Sequence, residues 1–215
     1  MVHTASLVHD DIVDCSDRRR NLLSVNSLYG NKIAALAGDL IMSKSTLLIA
    51  KLNDPTLISL LTSSIVDLVS GEFMQISGSS CNMMENYLQK TYKKTASLIA
   101  YTCKSAAYKA RANITDQEAI FDFGKCIGMS FQLIDDCLDY SETIDLGKPS
   151  MTDLKLGLVT APVIFATNKY PEINSIISRK FKYPEDIKNT YHLVTKSEGV
   201  TLTRKLAHSY IDTAI

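Results

Sequence analysis

Two acidic quintets with the same D-D-x-x-D spacing, each set in an apolar stretch, constrain the fold of this chain more than any other feature. They lie in SLVHDDIVD and FQLIDDCLD. A chain with this aspartate content would contain roughly 0.09 such quintets by chance. Unpartnered carboxylates are costly to bury, so the quintets indicate either two solvated acidic helix faces or a fold that brings them to a shared cation. The aspartates are Asp10, Asp11 and Asp14, and Asp135, Asp136 and Asp139.

The rest of the chain predicts helices. Gly and Pro are sparse, with 9 and 5 residues among 215, and long segments carry apolar residues at three- and four-residue spacing. We expect no strand pair with a hairpin turn, and a capping box at Thr115–Glu118 that begins one of the helices. The pattern predicts an all-α fold, a helical bundle with a site inside it. The predicted helices are Asn31–Leu52, Leu57–Ile76, Met83–Ala110, Asp116–Tyr140, Ala161–Lys169, Glu185–Lys196 and Val200–Ile215.

Composition argues against several classes of protein. The 23 basic residues balance 23 acidic residues, which argues against a general nucleic-acid or membrane-surface binder. The five cysteines are scattered and never spaced C-x-x-C, so we expect neither disulfides nor zinc, and a reducing compartment. The longest apolar run, Ile33–Ala50, is broken by Asp39 and Lys44. We therefore predict no transmembrane segment, and we find no signal or transit peptide.

The quintets predict a magnesium site. The first and last aspartates of each quintet share a helix face and repel each other, so a cation must lie between them. Oxygen ligands without cysteine or suitably spaced histidine suit Mg²⁺, which shares its ligands with substrate phosphates. A di-iron bundle would require Glu-x-x-His and a calcium loop D-x-D-x-D-G, and the chain contains neither. We infer two facing carboxylate clusters that hold a diphosphate through magnesium, with Arg18–Arg20 binding the remaining phosphate oxygens.

Other polar residues are candidates for the same site. The stretch YLQKTYKKTASL carries Lys90, Lys93, Lys94 and Thr95, and LGKPS carries Lys148. Taken singly, each lysine fits an ordinary surface position better than a phosphate-binding one. His9 is predicted to be structural rather than a ligand. Gln75 and Gln132 lie on helix faces that also carry acids, so each is compatible with a polar core position or with a substrate site.

Several motifs together resemble one family. HTASLVHDDIVD followed by arginines, GNKIAALAGDLI, GEFMQ, KTYKKTASLIA and GMSFQLIDDCLDY…LGKP…DLKLGLVTAPVIFA resemble trans-polyprenyl diphosphate synthases in order and spacing. The resemblance covers nearly all of residues 1–170 and is looser beyond. DLKLGLVTAPVIFA is most similar to the long-chain solanesyl/decaprenyl branch, which makes the ubiquinone side chain. The resemblance implies an isoprenoid-synthase-type bundle with a central cavity, and Mg²⁺-dependent head-to-tail addition of isopentenyl diphosphate to an allylic diphosphate.

The resemblance also implies roles for individual residues. Asp10, Asp14 and Asp135 would hold magnesium, supported by the catalytic residues Asp11, Asp136 and Asp139. Arg20 would bind isopentenyl diphosphate. In the family, bulky residues just before the first quintet stop chain growth; here Ala5 and Ser6 are small, which predicts a long product or, alternatively, close helix packing. A homodimer or a heteromer with a related subunit, and a mitochondrial or otherwise cytoplasmic location, are also implied. The allylic diphosphate would be bound by Arg19, Lys94, Thr95, Gln132 and Lys148.

Three departures from the family keep alternatives open. The family's upstream Gly-Gly-Lys segment is not found, so we expect residues 1–215 to be one synthase domain lacking the family's N-terminal helices. A lysine of short-chain members is replaced by Leu158, and R-R-G-K-P becomes Arg19–Leu23. A non-catalytic partner or regulatory subunit therefore stays an alternative. So does a class I terpene cyclase, although such cyclases usually do not repeat D-D-x-x-D.

Overall fold

The structure, a computed structural model, describes residues 1–77, 82–141 and 151–215. The first part of the chain forms α1 (Val2–Val13), α2 (Val25–Tyr29), α3 (Asn31–Ala50) and α4 (Pro55–Ser77). One helical run follows, made of α5 (Met83–Thr91), a π-helical turn (Tyr92–Ala96) and α6 (Ser97–Lys109). The last part contains α7 (Ile114–Leu138), α8 (Thr152–Lys155), α9 (Ala161–Thr167), α10 (Ile173–Ser178), α11 (Pro184–Lys196) and α12 (Gly199–Ala214).

All seven predicted helices are confirmed, with bounds that differ by one or a few residues. The predicted capping box at Thr115–Glu118 is wrong. The helix begins two residues earlier, at Ile114, because the side chain of Asn113 accepts a hydrogen bond of 2.9 Å from the backbone N–H of Asp116. Asparagine is a preferred N-cap residue because its short side chain reaches this N–H without strain.

A small hairpin corrects the prediction that the chain has no strand pair. Strand β1 (Arg18–Arg19) pairs antiparallel with β2 (Leu22–Leu23). The two turn residues, Arg20 and Asn21, have φ values of 51° and 65°, and a two-residue hairpin turn of type I′ requires positive φ at both positions. Strands of two residues are too short to show an alternating pattern, which explains why the sequence did not predict them.

Close helix packing places the π-helical turn at the centre of the bundle. The turn contacts α4 on one side and α7 on the other. A Cβ atom on Gly71 of α4 would lie 2.9 Å from the backbone nitrogen of Lys94. A Cβ atom on Gly128 of α7 would lie 2.5 Å from the Cα atom of Ala96. Glycine at these two positions therefore lets both helices approach the turn that carries Lys94 and Thr95.

Two groups of buried apolar residues support this arrangement from the C-terminal side. One joins Tyr87 and Leu133 to Ala207 of α12, so that α5 and α7 are held together close to the second quintet. The larger group packs α9, α10 and α11 around Tyr140, the residue after the second quintet. Its buried members are Tyr140, Leu154, Val163, Ala166, Ile173, Ile176, Phe181 and Val194.

Two described helices, Asn31–Ala50 and Pro55–Ile76, are long and apolar enough by length and composition to cross a membrane. Our expectation that no run has this length was wrong, because a few charged residues do not lower the mean hydropathy enough. Two of these charged residues contact neighbouring helices: Oδ1 of Asp39 lies 3.3 Å from Nε2 of His9, and Oδ1 of Asp67 lies 2.8 Å from Nζ of Lys93. These contacts connect both helices to the bundle. Their outward faces remain apolar, with exposed Ile33, Leu36, Leu40, Leu47, Val66, Val69, Phe73 and Ile76.

Candidate active site

The first quintet ends α1, where Asp11 is held by an arginine of the hairpin. The Nε and Nη2 atoms of Arg19 donate to Oδ1 of Asp11 at 3.0 and 2.6 Å, and the carboxylate is almost fully buried. The side-chain amide of Asn26 donates to the backbone carbonyl of Asp11 at 3.2 Å. Asp11 therefore fixes the hairpin against α1, which leaves Asp10 and Asp14 as the carboxylates of this quintet that are turned toward the centre of the site.

Burial raises the pKa of both of these carboxyl groups. The pKa of Asp10 rises to about 6, first because of desolvation and then because of the neighbouring carboxylates of Glu72 and Asp14, while Lys94 and Arg19 act in the opposite direction. The pKa of Asp14 is raised by the same principal cause. A raised carboxyl pKa means that the charged form lacks compensating positive charge. The first quintet is therefore a place where an added cation would be stabilised.

The π-helical turn supplies the lysine nearest to this quintet. Nζ of Lys94 lies 2.5 Å from Oε1 of Glu72 and 3.5 Å from Oε1 of Gln75, both on α4. Because a π-helical turn inserts an extra residue into a helix, it changes which side chains face a neighbouring element, and such turns are frequent at functional sites. Here Lys93 faces Asp67 while Lys94 faces the acids of the site.

The second quintet lies at the end of α7 and is organised by a chain of hydrogen bonds. The hydroxyl of Tyr87 donates to Oδ2 of Asp136 at 2.6 Å. The Nε2 atom of Gln132 donates to Oδ1 of the same carboxylate at 2.9 Å, and the Thr95 hydroxyl donates to Oε1 of Gln132 at 2.9 Å. Desolvation nevertheless raises the pKa of Asp136 to about 6, although these hydrogen bonds lower it. The chain connects the second quintet to the π-helical turn.

The other aspartates of the second quintet have different surroundings. Asp139 accepts hydrogen bonds from the backbone N–H groups of Thr152 at 2.9 Å and Asp153 at 3.3 Å, and thereby holds the start of α8. Burial is again the largest cause of its raised pKa. Asp135 is half-buried beside Asp136. No three His, Cys, Asp or Glu side chains among residues 1–77, 82–141 and 151–215 form a closed metal site, so a bound metal would require oxygen atoms from a ligand.

A cavity of about 180 Å³ begins at the first quintet and runs between α1, α3 and α4. Asp10 and Glu72 form its polar part, together with His9 and Ser6. The remaining wall is apolar and is formed by Met42, Ile65, Leu68, Val69, Phe73 and Ile76. Ser6 lines this cavity, whereas Ala5 is fully buried and is not among the lining residues. A ligand that fits this shape has a charged head and a hydrocarbon tail.

His9 connects α1 to α3, in agreement with its predicted structural role. Its Nε2 atom lies 3.2 Å from the backbone oxygen of Ala35 and 3.3 Å from Oδ1 of Asp39. A Cβ atom on Gly38 would lie 2.3 Å from this nitrogen, so the imidazole can reach α3 only because residue 38 is glycine. His9 thereby fixes the orientation of the helix that carries Asp10.

Two predicted site residues are not among the side chains that the structure brings together around the two quintets. Arg20 is exposed at the hairpin turn, and Lys148 lies outside the described residues. Two residues of the site, Tyr87 and Glu72, were not predicted from the sequence. Tyr87 lies seven residues before Lys94 on the same helical run, and this spacing was the available signal for it. Glu72 is the acid of the GEFMQ stretch, and its position there was the available signal.

Comparison with known proteins identifies the family to which this chain is similar. The sequence model of the polyprenyl synthetase family matches residues 1–194. The all trans-polyprenyl-diphosphate synthase of Homo sapiens is 47% identical over 219 residues, covering 100% of this chain and 52% of the human protein. The mitochondrial solanesyl-diphosphate synthase 1 of Oryza sativa subsp. japonica is 39% identical over 218 residues, covering 100% of this chain and 51% of the rice protein. The chain thus spans about half the length of the curated relatives it matches.

Solved structures confirm the expected fold. Heptaprenyl diphosphate synthase from Staphylococcus aureus superposes with a TM-score of 0.92 at 30% identity, covering 99% of this chain and 69% of that one. The polyprenyl synthase from Caulobacter crescentus CB15, complexed with calcium and isoprenyl diphosphate, gives 0.89 at 30% identity, covering 99% and 67%. The helical bundle is therefore of the isoprenoid-synthase type, and with the family model matching most of its length, this chain belongs to the polyprenyl synthetase family.

Proposed function

We propose that this chain carries the catalytic site of a long-chain trans-polyprenyl diphosphate synthase, which adds isopentenyl diphosphate head-to-tail to an allylic diphosphate for a quinone side chain. The observation that supports this most strongly is the position of the polar centre. Asp10 of the first quintet and Glu72, which pairs with Lys94, line the polar end of a cavity whose other walls are mostly apolar, and the chain of hydrogen bonds from Thr95 through Gln132 links the neighbouring turn to the second quintet. An allylic diphosphate has the same division between an anionic head and a hydrocarbon tail.

Magnesium is the cofactor that fits these residues. Asp10, Asp14 and Asp135 would hold it, with Asp11, Asp136 and Asp139 supporting them. The ligand set is entirely oxygen, and burial raises the pKa of four of these six carboxyl groups. A cation that completes its coordination with substrate phosphate oxygens fits an arrangement without a closed protein cage. When bound, magnesium would supply electrostatic stabilisation of the departing diphosphate.

The chain's own polar groups would bind and orient the substrate heads. Lys94, Thr95 and Gln132 lie between the two quintets, where the lysine would leave Glu72 to neutralise phosphate charge. Arg19 would use the part of its guanidinium that does not contact Asp11, and Lys148 would contribute from outside the described residues. Positioned cations and hydrogen-bond donors act on the charge that develops as the allylic C–O bond breaks. Arg20, on the exposed turn, would bind isopentenyl diphosphate.

Small residues below the first quintet favour a long product. Ser6 lines the cavity one helical turn before Asp10, so a growing tail would pass this side chain. Two apolar lining residues, Phe73 and Ile76, are 67% and 63% exposed, and the chain alone therefore does not seal that wall. A large aromatic side chain at Ser6 would shorten the space available to the tail.

A partner subunit and a compartment also belong to this proposal. The exposed apolar faces of α3 and α4 fit a second copy of this chain or a related subunit, because contiguous apolar surface of this kind marks an interface. Mitochondria are the proposed location, since the names of the rice relative and of a hexaprenyl pyrophosphate synthase from Yarrowia lipolytica include that compartment.

One assay tests the proposal and its alternatives. The chain is incubated with an allylic diphosphate, labelled isopentenyl diphosphate and Mg²⁺, and the products are separated by length. Labelled prenyl diphosphates longer than the allylic substrate are expected. Release of cyclic hydrocarbons would identify a terpene cyclase, and an absence of any product, together with full folding and full metal-dependent diphosphate binding, would identify a non-catalytic partner subunit.

A further inference from the structure

Lys90 differs from the other cations around the site because, in the part of the chain that the structure describes, no carboxylate lies within ion-pair distance of its ammonium. Arg19 is paired with Asp11, Lys93 with Asp67 and Lys94 with Glu72. Within residues 1–77, 82–141 and 151–215, Lys90 has no ion pair, and its Nζ atom lies 5.8 Å from the centre of the Tyr87 ring. A half-buried ammonium without a carboxylate partner is unfavourable, and burial accordingly lowers the pKa of Lys90.

The surroundings of Lys90 place it between the two quintets. Asp136, Asp153, Glu72 and Lys94 are all close enough for their charges to act on the Lys90 ammonium, and Lys94, four residues further along the helical run, pairs with Glu72. Glu72 and Lys94 also act on Asp10. The Tyr87 ring over which Lys90 lies is itself hydrogen-bonded to Asp136, so the cation–π contact holds the ammonium close to that carboxylate.

We propose that Lys90 is a further diphosphate-binding residue, whose ammonium pairs with phosphate oxygens held between the two aspartate quintets. The inference rests on the proposed function, because it assumes that a diphosphate occupies this space. Lys93 cannot serve in its place, because its ammonium points to Asp67 on α4. The Tyr87 ring orients Lys90 before the ligand arrives, which reduces the entropy lost on binding.

The test uses the full chain and inorganic pyrophosphate with Mg²⁺, followed by calorimetry. Lys90→Met keeps the length of the side chain and removes the charge. One charge-assisted contact in a partly buried site corresponds to about 10- to 100-fold in affinity, so we expect pyrophosphate to bind more weakly by that factor. Lys90→Arg should restore binding relative to Lys90→Met. Lys125→Met is the matched control, since Lys125 also lies over a tyrosine ring, at 5.7 Å from that of Tyr92, but far along α7 from the second quintet.

Thermal unfolding separates a binding role from a structural one. Removing an unpaired, half-buried charge should leave the Tm of Lys90→Met at or above that of the wild-type chain. Unchanged pyrophosphate affinity in Lys90→Met would overturn this assignment while leaving the proposed function intact. Weaker binding together with a lower Tm that Lys90→Arg does not correct would also overturn it, in favour of a structural role. A wild-type chain that binds no pyrophosphate with Mg²⁺ would overturn both proposals.

Discussion

Replacing Asp10 with asparagine should stabilise the metal-free chain while abolishing the proposed prenyl-transfer activity. Burial raises the pKa of Asp10 from 3.8 to about 6, and a shift of two units corresponds to about 3 kcal/mol of unfolding free energy. The side chain is only half-buried, so solvent screening reduces this to about 1–2 kcal/mol. Asparagine has nearly the same shape and no charge, and the variant therefore avoids this cost. Asp10 therefore lowers the stability of the metal-free chain, as is common for residues that a protein keeps for its activity.

The sign of the effect depends on pH. A carboxyl group whose pKa is raised on folding binds its proton more tightly in the folded state, so the chain loses stability as pH rises. For Asp10 the loss develops between the unfolded value of 3.8 and the folded value of about 6, and it is complete above that. Asp10→Asn should consequently show its largest gain near pH 8, with the gain declining as pH falls through the range between these two values.

Urea unfolding of the metal-free chain at pH 8 and at pH 5 measures this directly. Asp212→Asn is the control, because Asp212 is exposed on α12 and its replacement should change the unfolding free energy little at either pH. An Asp10→Asn variant that is less stable than wild type at pH 8, or whose gain is the same at both pH values, would refute the electrostatic reasoning.

Three further predictions concern other parts of the structure. Tyr87→Phe should lower the unfolding free energy by about 1–3 kcal/mol, because the buried Asp136 loses its 2.6 Å donor; a change below about 0.5 kcal/mol in urea unfolding would contradict this. Ser6→Phe should shorten the prenyl product, because Ser6 lines the cavity; unchanged product length would show that another residue limits growth. Ala5→Phe should mainly lower stability, by about 1–3 kcal/mol, because residue 5 is fully buried and does not line the cavity. Sedimentation at micromolar concentration should give a dimer that Leu40→Glu dissociates and the control Leu156→Glu does not; both leucines are exposed, and a wild-type monomer would refute the interface.

Much of the fold could be predicted because its determinants are local. Apolar spacing identified the long helices, and the position of Ser6 in the cavity wall follows from helical geometry alone, since residues four apart share a face. The quintets could be found for the same reason: their chemistry is contained in five consecutive residues. Short elements were not predicted, because two residues are too few to show an alternating pattern, as in the hairpin of β1 and β2.

The connections within the site could not be predicted, because they depend on residues far apart in the chain. Tyr87 and Asp136 are separated by 49 positions, and no local pattern relates them. The π-helical turn lies in close contact with α4 and α7 at Gly71 and Gly128, and these contacts join residues far apart in the chain. Without that turn, helical spacing does not tell whether Lys93 or Lys94 faces the acids.

If both quintets hold one diphosphate, as proposed, the stoichiometry of pyrophosphate binding should show it. Calorimetric titration with pyrophosphate and Mg²⁺ is carried out on the wild-type chain, Asp10→Ala, Asp135→Ala and the double variant. We predict one pyrophosphate per chain, lost in either single variant, with little further loss in the double variant, because the two carboxylates act on the same ligand. Two independent pyrophosphate sites in the wild-type chain, each abolished by only one of the single variants, would contradict the account.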